Sequence, residues 1–434
     1  MSPSVRTTRS TTVTASFPGP VRVRTTEIPD PGDLTALPPS ASSVLAWLRG
    51  GDGVIGWGRL AMVQLLGPDR FAAAQSAWGR LLAGAEVVDE VGLPGTGAIA
   101  FTSFTRDTSA VPSVLVVPRF VVGRRQGRSW ITELGTAATT PAPPPIPRGA
   151  EGGHPARLGP ARLAPHRPAR ANRLRGVSGV VSASAYRSAV AAATDRIQTG
   201  RAPSVVLARD LLAEFEAPID ARRVLARLTS RYDDNWSYAV DGLVGLTPGT
   251  VLRKCGTLVE SRVRTRVSSP DGDGLGSPKI REEHRLAVDS LRATLSPVCT
   301  TMRALTEEGE SRHAAHSVLT TDVRAVLDGR AAPSILRLLG SILTTRAMGG
   351  APSRSVAAAT ESALGVHGGR YAGPIGWIDA CGDGEFGIAL PCAQLCGGSA
   401  RLYAGSRIGP GADPDAEVAE STATLHALAD ILGT

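Results

Sequence analysis

The chain is nearly without lysine. Of its 47 basic residues only Lys254 and Lys279 are lysines, and arginine carries the rest of the positive charge. Cysteine is also scarce. Five unevenly spaced residues give no disulfide framework and fit a reducing compartment. Cys392 and Cys396 alone do not complete a zinc site, which needs four ligands. No apolar run approaches the roughly 20 residues of a membrane-spanning helix, so no membrane partner is expected. Met1–Pro20 has no acids and no apolar stretch of the kind a secretory signal requires. Residues 1–20 are expected to be a disordered tail, although the composition also suits a transit peptide. These absences together lead to the expectation of a cytoplasmic protein. The sequence has no P-loop. Its one GxGxxG spacing, Gly382 to Gly387, runs into a strand and not a helix, so it lacks the dinucleotide-binding context. The net charge of +8 invites a nucleic-acid reading. Many of the arginines crowd into a Pro-rich segment without interleaved aromatics, so no nucleic-acid partner is expected.

What is present is a globular composition, 42% hydrophobic and 20% charged over 434 residues. Residues 139–171 are dominated by Pro, Ala, Arg and Gly and bury too little apolar surface to order themselves, so they read as a loop or linker. Before it, paired strands are expected over residues 44–66, a helix over 68–85 and strands over 97–104, 113–122 and 129–133. After it come a helix over 183–199, a strand over 204–209, a helix over 220–229, and strands over 237–245 and 251–263. A polar loop over 265–278 leads to a long helix over 280–304, with further helices over 334–347 and 352–364. Three short strands and a terminal helix follow, with Asp413 as its N-cap and Pro414 at its first position. This order lacks βαβ alternation and gives an α+β class, with antiparallel sheets and helices outside. Length alone suggests two or three domains, and one large domain is also possible.

Acids placed at helix starts are the one chemical signal. Glu283 begins one helix; Glu417 and Glu420 sit three apart, on one face of another. Such carboxylates suit Mg²⁺, which takes oxygen ligands and keeps several waters. The same pattern suits solvated acids favoured by the helix dipole.

Several blocks in fixed order resemble the chorismate-utilising enzymes. They are Ser204-Val205-Val206-Leu207-Ala208-Arg209, Asp241 to Pro248, Arg281-Glu282-Glu283-His284, Leu319-Thr320-Thr321-Asp322-Val323, Tyr371 to Trp377, Gly382 to Phe386 and Arg401 to Gly405, with the Glu417/Glu420 helix. The match is strong over about 180–432 and looser before it, and is most similar to isochorismate synthases of menaquinone or siderophore pathways. The resemblance implies a single large domain over residues 21–434 with an anthranilate synthase component I-like fold of stacked antiparallel sheets wrapped by helices. It implies an Mg²⁺-dependent isomerase that adds water at C2 of chorismate and expels the 4-hydroxyl. It places Glu283, Glu420 and Glu417 at the metal, and Tyr371, Ala404 and Gly405 at the substrate; Glu385 also carries over. Other family positions are changed. The lysine base position is Ser204, the glutamate acid position is Gly249, and the carboxylate-binding arginine position is Pro391. Thr265-Arg266-Val267 and Arg407 stand where the family has small residues, and neither lysine lies in the strand that would present the base. A catalytically impaired or inactive relative with a regulatory, scaffolding or altered-substrate role is the alternative these changes raise.

Overall fold

A computed structural model describes residues 11–16, 19–106, 111–136, 172–179, 181–200, 205–267, 278–310, 317–329, 332–343, 369–409 and 411–433. The expected loop over 139–171 and the expected helix over 352–364 lie outside these residues. The first part runs β1 (Thr12–Ser16), β2 (Val21–Ile28), β3 (Leu45–Arg49), β4 (Asp52–Leu66), α1 (Arg70–Leu82), β5 (Glu86–Asp89), β6 (Ile99–Ser103), β7 (Ser113–Arg125) and β8 (Arg128–Thr136). The second begins with β9 (Leu174–Ser178), α2 (Ala183–Gln198), β10 (Val205–Phe215), α3 (Ala221–Arg231), β11 (Trp236–Val240) and β12 (Leu243–Thr247). It continues through β13 (Leu252–Cys255), β14 (Leu258–Val267), α4 (Pro278–Leu295), β15 (Cys299–Glu310), β16 (Ser317–Leu327) and α5 (Ile335–Ile342). It ends with β17 (Pro374–Asp379), β18 (Gly384–Ile388), β19 (Cys392–Cys396), β20 (Ser399–Ile408) and α6 (Pro414–Leu432).

The long antiparallel partners β4 and β7 form the hub, because each pairs with different strands at its two ends. From β7 one arm leads through β6 to β17, β18, β13, β14, β16 and β15. From β4 a second arm leads through β3 to β11, β12, β19, β20, β10 and β9. All these pairings are antiparallel; β2 with β5 is the parallel exception. One apolar cluster joins the facing sides of the arms, with Trp377, Phe386 and Leu252 from the first and Tyr238, Leu207 and Tyr403 from the second. A second cluster packs the outer side of the second arm, through Ala239, Val244 and Leu402, under Leu225 of α3 and Leu425 of α6. This is the stacked antiparallel α+β architecture expected.

Local chemistry explains most boundaries. The side chain of Ser182 caps α2, that of Asp220 caps α3 and that of Asp413 caps α6, with Pro414 at the first position. Val21-Arg22-Val23-Arg24 alternates buried and exposed, the period of a half-buried strand. Three expectations are corrected. Thr12–Ser16, placed in the disordered tail, forms β1 against Leu66–Met62 of β4. The strands expected over 237–245 and 251–263 are each hairpins, because Gly242 and Gly256 take positive φ at the turns. The helix expected to reach 304 stops at Leu295, where Pro297 disfavours helical geometry in the residue before it. Cys299–Glu310 then runs as a strand. Among the described residues no helix is long and apolar enough to cross a membrane.

Candidate functional site

The site builds from the edge where β20, α6 and α2 meet. Glu417 is buried on the first turn of α6 and accepts a hydrogen bond from the hydroxyl of Ser406 on β20. Glu420, one turn on, is exposed. Both carboxylates bear on the hydroxyl of Tyr186 in α2. Burial, and then the charges of Glu417 and Glu420, push that phenol well above its ordinary pKa. Arg209 of β10 lies 5.7 Å over the Tyr186 ring and donates to Ser421 at 3.1 Å and Thr422 at 2.8 Å, tying β10 to α6. Tyr186 was missed by sequence reasoning; it looks like any core aromatic of an amphipathic helix.

Glu283 has its backbone in the first turn of α4, and its side chain lies outside those described. Its neighbour His284 is buried. Its Nδ1 is 2.8 Å from the Thr265 hydroxyl and its Nε2 is 2.7 Å from that of Thr321, which in turn is 2.7 Å from Thr306. Burial lowers the imidazole pKa, so the neutral ring serves as a link between α4 and strands β14, β16 and β15. Among the described residues no three metal-type ligands converge. The acids that are placed are oxygen donors, and Mg²⁺ needs only one or two carboxylates with waters completing its shell. Glu417 and Glu420 supply oxygen donors of the type that ion takes.

The residues expected at the substrate divide. Tyr371 is buried and stacks on Tyr403 at 5.8 Å. Its neighbour Arg370 donates to the carbonyls of Val240 at 3.3 Å and Asp241 at 2.7 Å and to Gln394 at 2.7 Å, which fixes the entry to β17. Ala404 packs with Leu402 in the cluster beneath α6, whereas Tyr403 belongs to the cluster between the arms. Gly405 sits opposite Ala208, and a Cβ there would fall 2.1 Å from the carbonyl oxygen of Leu207. Its missing side chain is thus already required by β10.

The substituted positions have local consequences. Ser204 and the side chains of Lys279, Arg266 and Arg407 lie outside those described. Lys254 is buried and ion-paired with Asp383, so it is held away from any base role. At Gly249 an added Cβ would meet Cδ of Arg262 at 3.6 Å, and Arg262 pairs with both oxygens of Asp322 at 2.5 and 2.7 Å. Arg264 donates to the carbonyl of Pro248 at 2.9 Å. The acid position is therefore flanked by guanidinium groups. The carbonyl of Pro391 accepts from the amide of Leu246 at 3.2 Å, so this residue extends the β12–β19 pairing at the position where the resemblance has a carboxylate-binding arginine.

Glu385 carries over in sequence, but its setting is structural. It is buried, accepts from Trp47 Nε1 at 2.9 Å and from both terminal nitrogens of Arg125 at 3.0 Å, and lies 3.2 Å from Arg253 Nε. Beside this cluster opens a cavity of about 420 Å³ lined by Arg49, Asp52, Arg125, Asp233, Asp234 and Trp236. None of the expected site residues lines it.

Comparison with known proteins agrees with this architecture. The putative isochorismate synthase MenF of Mycobacterium tuberculosis is 32% identical over 254 residues, covering 53% of this chain and 67% of that protein. Isochorismate synthase MenF of Bacillus subtilis is 27% identical over 262 residues, covering 57% of this chain and 55% of that protein. Among solved structures, the putative 2,3-dihydroxybenzoate-specific isochorismate synthase DhbC of Bacillus anthracis superposes with a TM-score of 0.66 at 20% identity, covering 91% of this chain and 97% of that one. The menaquinone-specific MenF of Escherichia coli gives 0.66 at 19% identity, covering 96% of each chain. Anthranilate synthase component I of Streptococcus pneumoniae gives 0.57 at 17% identity, covering 95% of this chain and 93% of that one. The profile of the family described as chorismate binding enzyme matches residues 49–433. The chain belongs to this chorismate-binding enzyme family and is isochorismate synthase-like within it.

Proposed function

We propose that this protein is an isochorismate synthase-type binder of chorismate, or of a closely related dicarboxylate, whose turnover is severely impaired. The supporting observation is Gly249. It has no side chain to protonate a leaving hydroxyl, and Arg262 occupies the neighbouring space. At the base position Ser204 has no basic nitrogen, and Lys254 is held by Asp383. General acid and base groups each contribute roughly 10²–10⁴-fold. Losing both does not multiply, because groups acting as a unit are not additive. The Arg264 guanidinium, bonded to the Pro248 carbonyl beside Gly249, adds positive charge that suits an anionic ligand.

Glu420 and Glu283 would hold Mg²⁺, with Glu417 beside them. The ion would neutralise a ligand carboxylate when bound. Ser406 orients Glu417, and the His284 link fixes the start of the helix that carries Glu283.

The test is purified protein with chorismate and Mg²⁺, following isochorismate by coupled consumption. We expect turnover below about 1 s⁻¹, the low end of ordinary enzymes; a faster rate overturns the proposal. Calorimetry of Mg²⁺ on the wild type and on Glu420→Gln addresses the metal. Equal affinities would remove it from this site.

A further inference from the structure

Strand β15 is an unusual edge. It runs twelve residues, and among the described residues β16 is its one partner, on one side. Among the described residues, the amides and carbonyls that alternate toward the other side meet no partner strand. Natural edges are commonly blunted by lysine, proline, bulges or shortness. Here Thr301–Glu307 contains no lysine or proline, and the one bulge lies before it, between Cys299 and Thr301. Leu305, at 65% exposed, is the most exposed large apolar side chain among the described residues.

The two faces of β15 differ. Thr306 bonds Thr321 on the side of His284 and α4. Arg303, Leu305 and Glu307 therefore project from the opposite face, level with Arg324, Asp322 and Thr320 of β16. On that face Arg303 stands directly across from Arg324, whose ion pair is with Glu260 on β14. Like charges directly opposite each other destabilise a ladder. Among the described residues no ion pair joins Arg303 or Glu307 to another side chain, and Glu307 feels only the more distant Arg262 guanidinium, which is paired with Asp322.

We propose that β15 is the pairing edge of a twofold dimer, in which the β15 strands of two copies lie antiparallel about Leu305. That register sets Leu305 against Leu305 and Arg303 against Glu307, twice by symmetry. Centring the pair on residue 303 would oppose two arginines, and centring it on 307 two glutamates. Centring on 304 or 306 would set one charge against Leu305. A slip of one residue would turn the exposed face of one strand to the wrong side of the other. Of the registers available, the one about Leu305 satisfies both charges and covers the exposed leucine. An isologous contact of this kind closes on itself and leaves no edge free for a third copy.

The test is sedimentation equilibrium of the full chain, with a monomer mass of 44.9 kDa. We expect twice that mass for the wild type at micromolar concentration. Arg303→Glu or Glu307→Arg alone creates two like-charge contacts per dimer and is expected to weaken association about tenfold or more. The double variant R303E/E307R restores opposite charges and is expected to recover association to within about threefold. Recovery in the double variant separates loss of the interface from loss of folding. A wild type that stays monomeric up to about 100 μM, single variants that associate like the wild type, or a double variant that fails to recover each overturns the proposal.

Discussion

Glu385→Ala should unfold this protein more readily than any change at the expected catalytic positions. The carboxylate is 2% exposed and satisfies three donors, Trp47 Nε1 and the two terminal nitrogens of Arg125. The Arg125 side chain is itself only 13% exposed. Removing the acid leaves a part-buried guanidinium without its charge partner and a buried indole N–H without an acceptor. Breaking a buried pair from one side costs about 3–5 kcal/mol, most of it the penalty of the stranded charge. Arg253, with its side chain 37% exposed, is better solvated and adds little to that figure. Urea denaturation followed by tryptophan fluorescence reads the loss locally, because Trp47 stacks on Trp236 at 5.1 Å. Glu385→Gln keeps one acceptor oxygen but turns an amide nitrogen toward a donor, so an intermediate loss is expected. Replacing both partners, as in E385L/R125M, removes the stranded charge and should cost less than Glu385→Ala alone. A loss under about 1 kcal/mol for Glu385→Ala, or a double variant worse than the single, would refute the reasoning.

The remaining predictions concern Asp379 and Gly376 of β17 and Gly249 beside Arg262. Burial raises Asp379 from 3.8 to about 6, against the lowering effect of the amides of Asp383 and Cys381. The folded state thus holds this proton more tightly than the unfolded chain does. Its stabilising contribution is complete below pH 3.8 and is lost as pH rises through about 6. Asp379→Asn should flatten the pH dependence of stability across that window; wild-type and variant curves that run parallel from pH 4 to 7 would contradict this. Gly249→Ala should be neutral or stabilising by about 0.4–1 kcal/mol, since its Cβ makes an ordinary contact with Arg262. Gly376→Ala should be severely destabilising, because a Cβ would lie 1.9 Å from the carbonyl oxygen of Glu385; comparable melting temperatures for the two alanine variants would sink that distinction.

Much of the fold was legible because its signals are local. Capping residues such as Asp413 and Asp220 satisfy amides a few positions away, and the alternation in Val21–Ile28 is a property of one strand. Family membership was legible for a related reason: it rests on ordered blocks such as Tyr371–Trp377, whose glycines are fixed by packing. Gly373 would place a Cβ 1.9 Å from the carbonyl oxygen of Phe104, so the motif marks where β17 enters between β6 and β18. The first half of β15, Cys299 to Ala304, reads as helix from the sequence because its Thr, Met and Ala residues continue the apolar spacing of α4. Only pairing with β16 makes them a strand.

The sequence alone determined the α+β class, the capped helix bearing Glu417 and Glu420, and the substitutions at Ser204, Gly249 and Pro391, since these depend on residue type and spacing. The tertiary structure decided what surrounds them. Glu385 became a buried ion-pair centre because β7, β13 and β3 converge on it from positions up to 338 residues distant. Lys254 was fixed in a salt bridge to Asp383, and Arg262 was placed beside Gly249. A side chain's charge is written in the chain, but its partner is chosen by which strands the fold lays side by side.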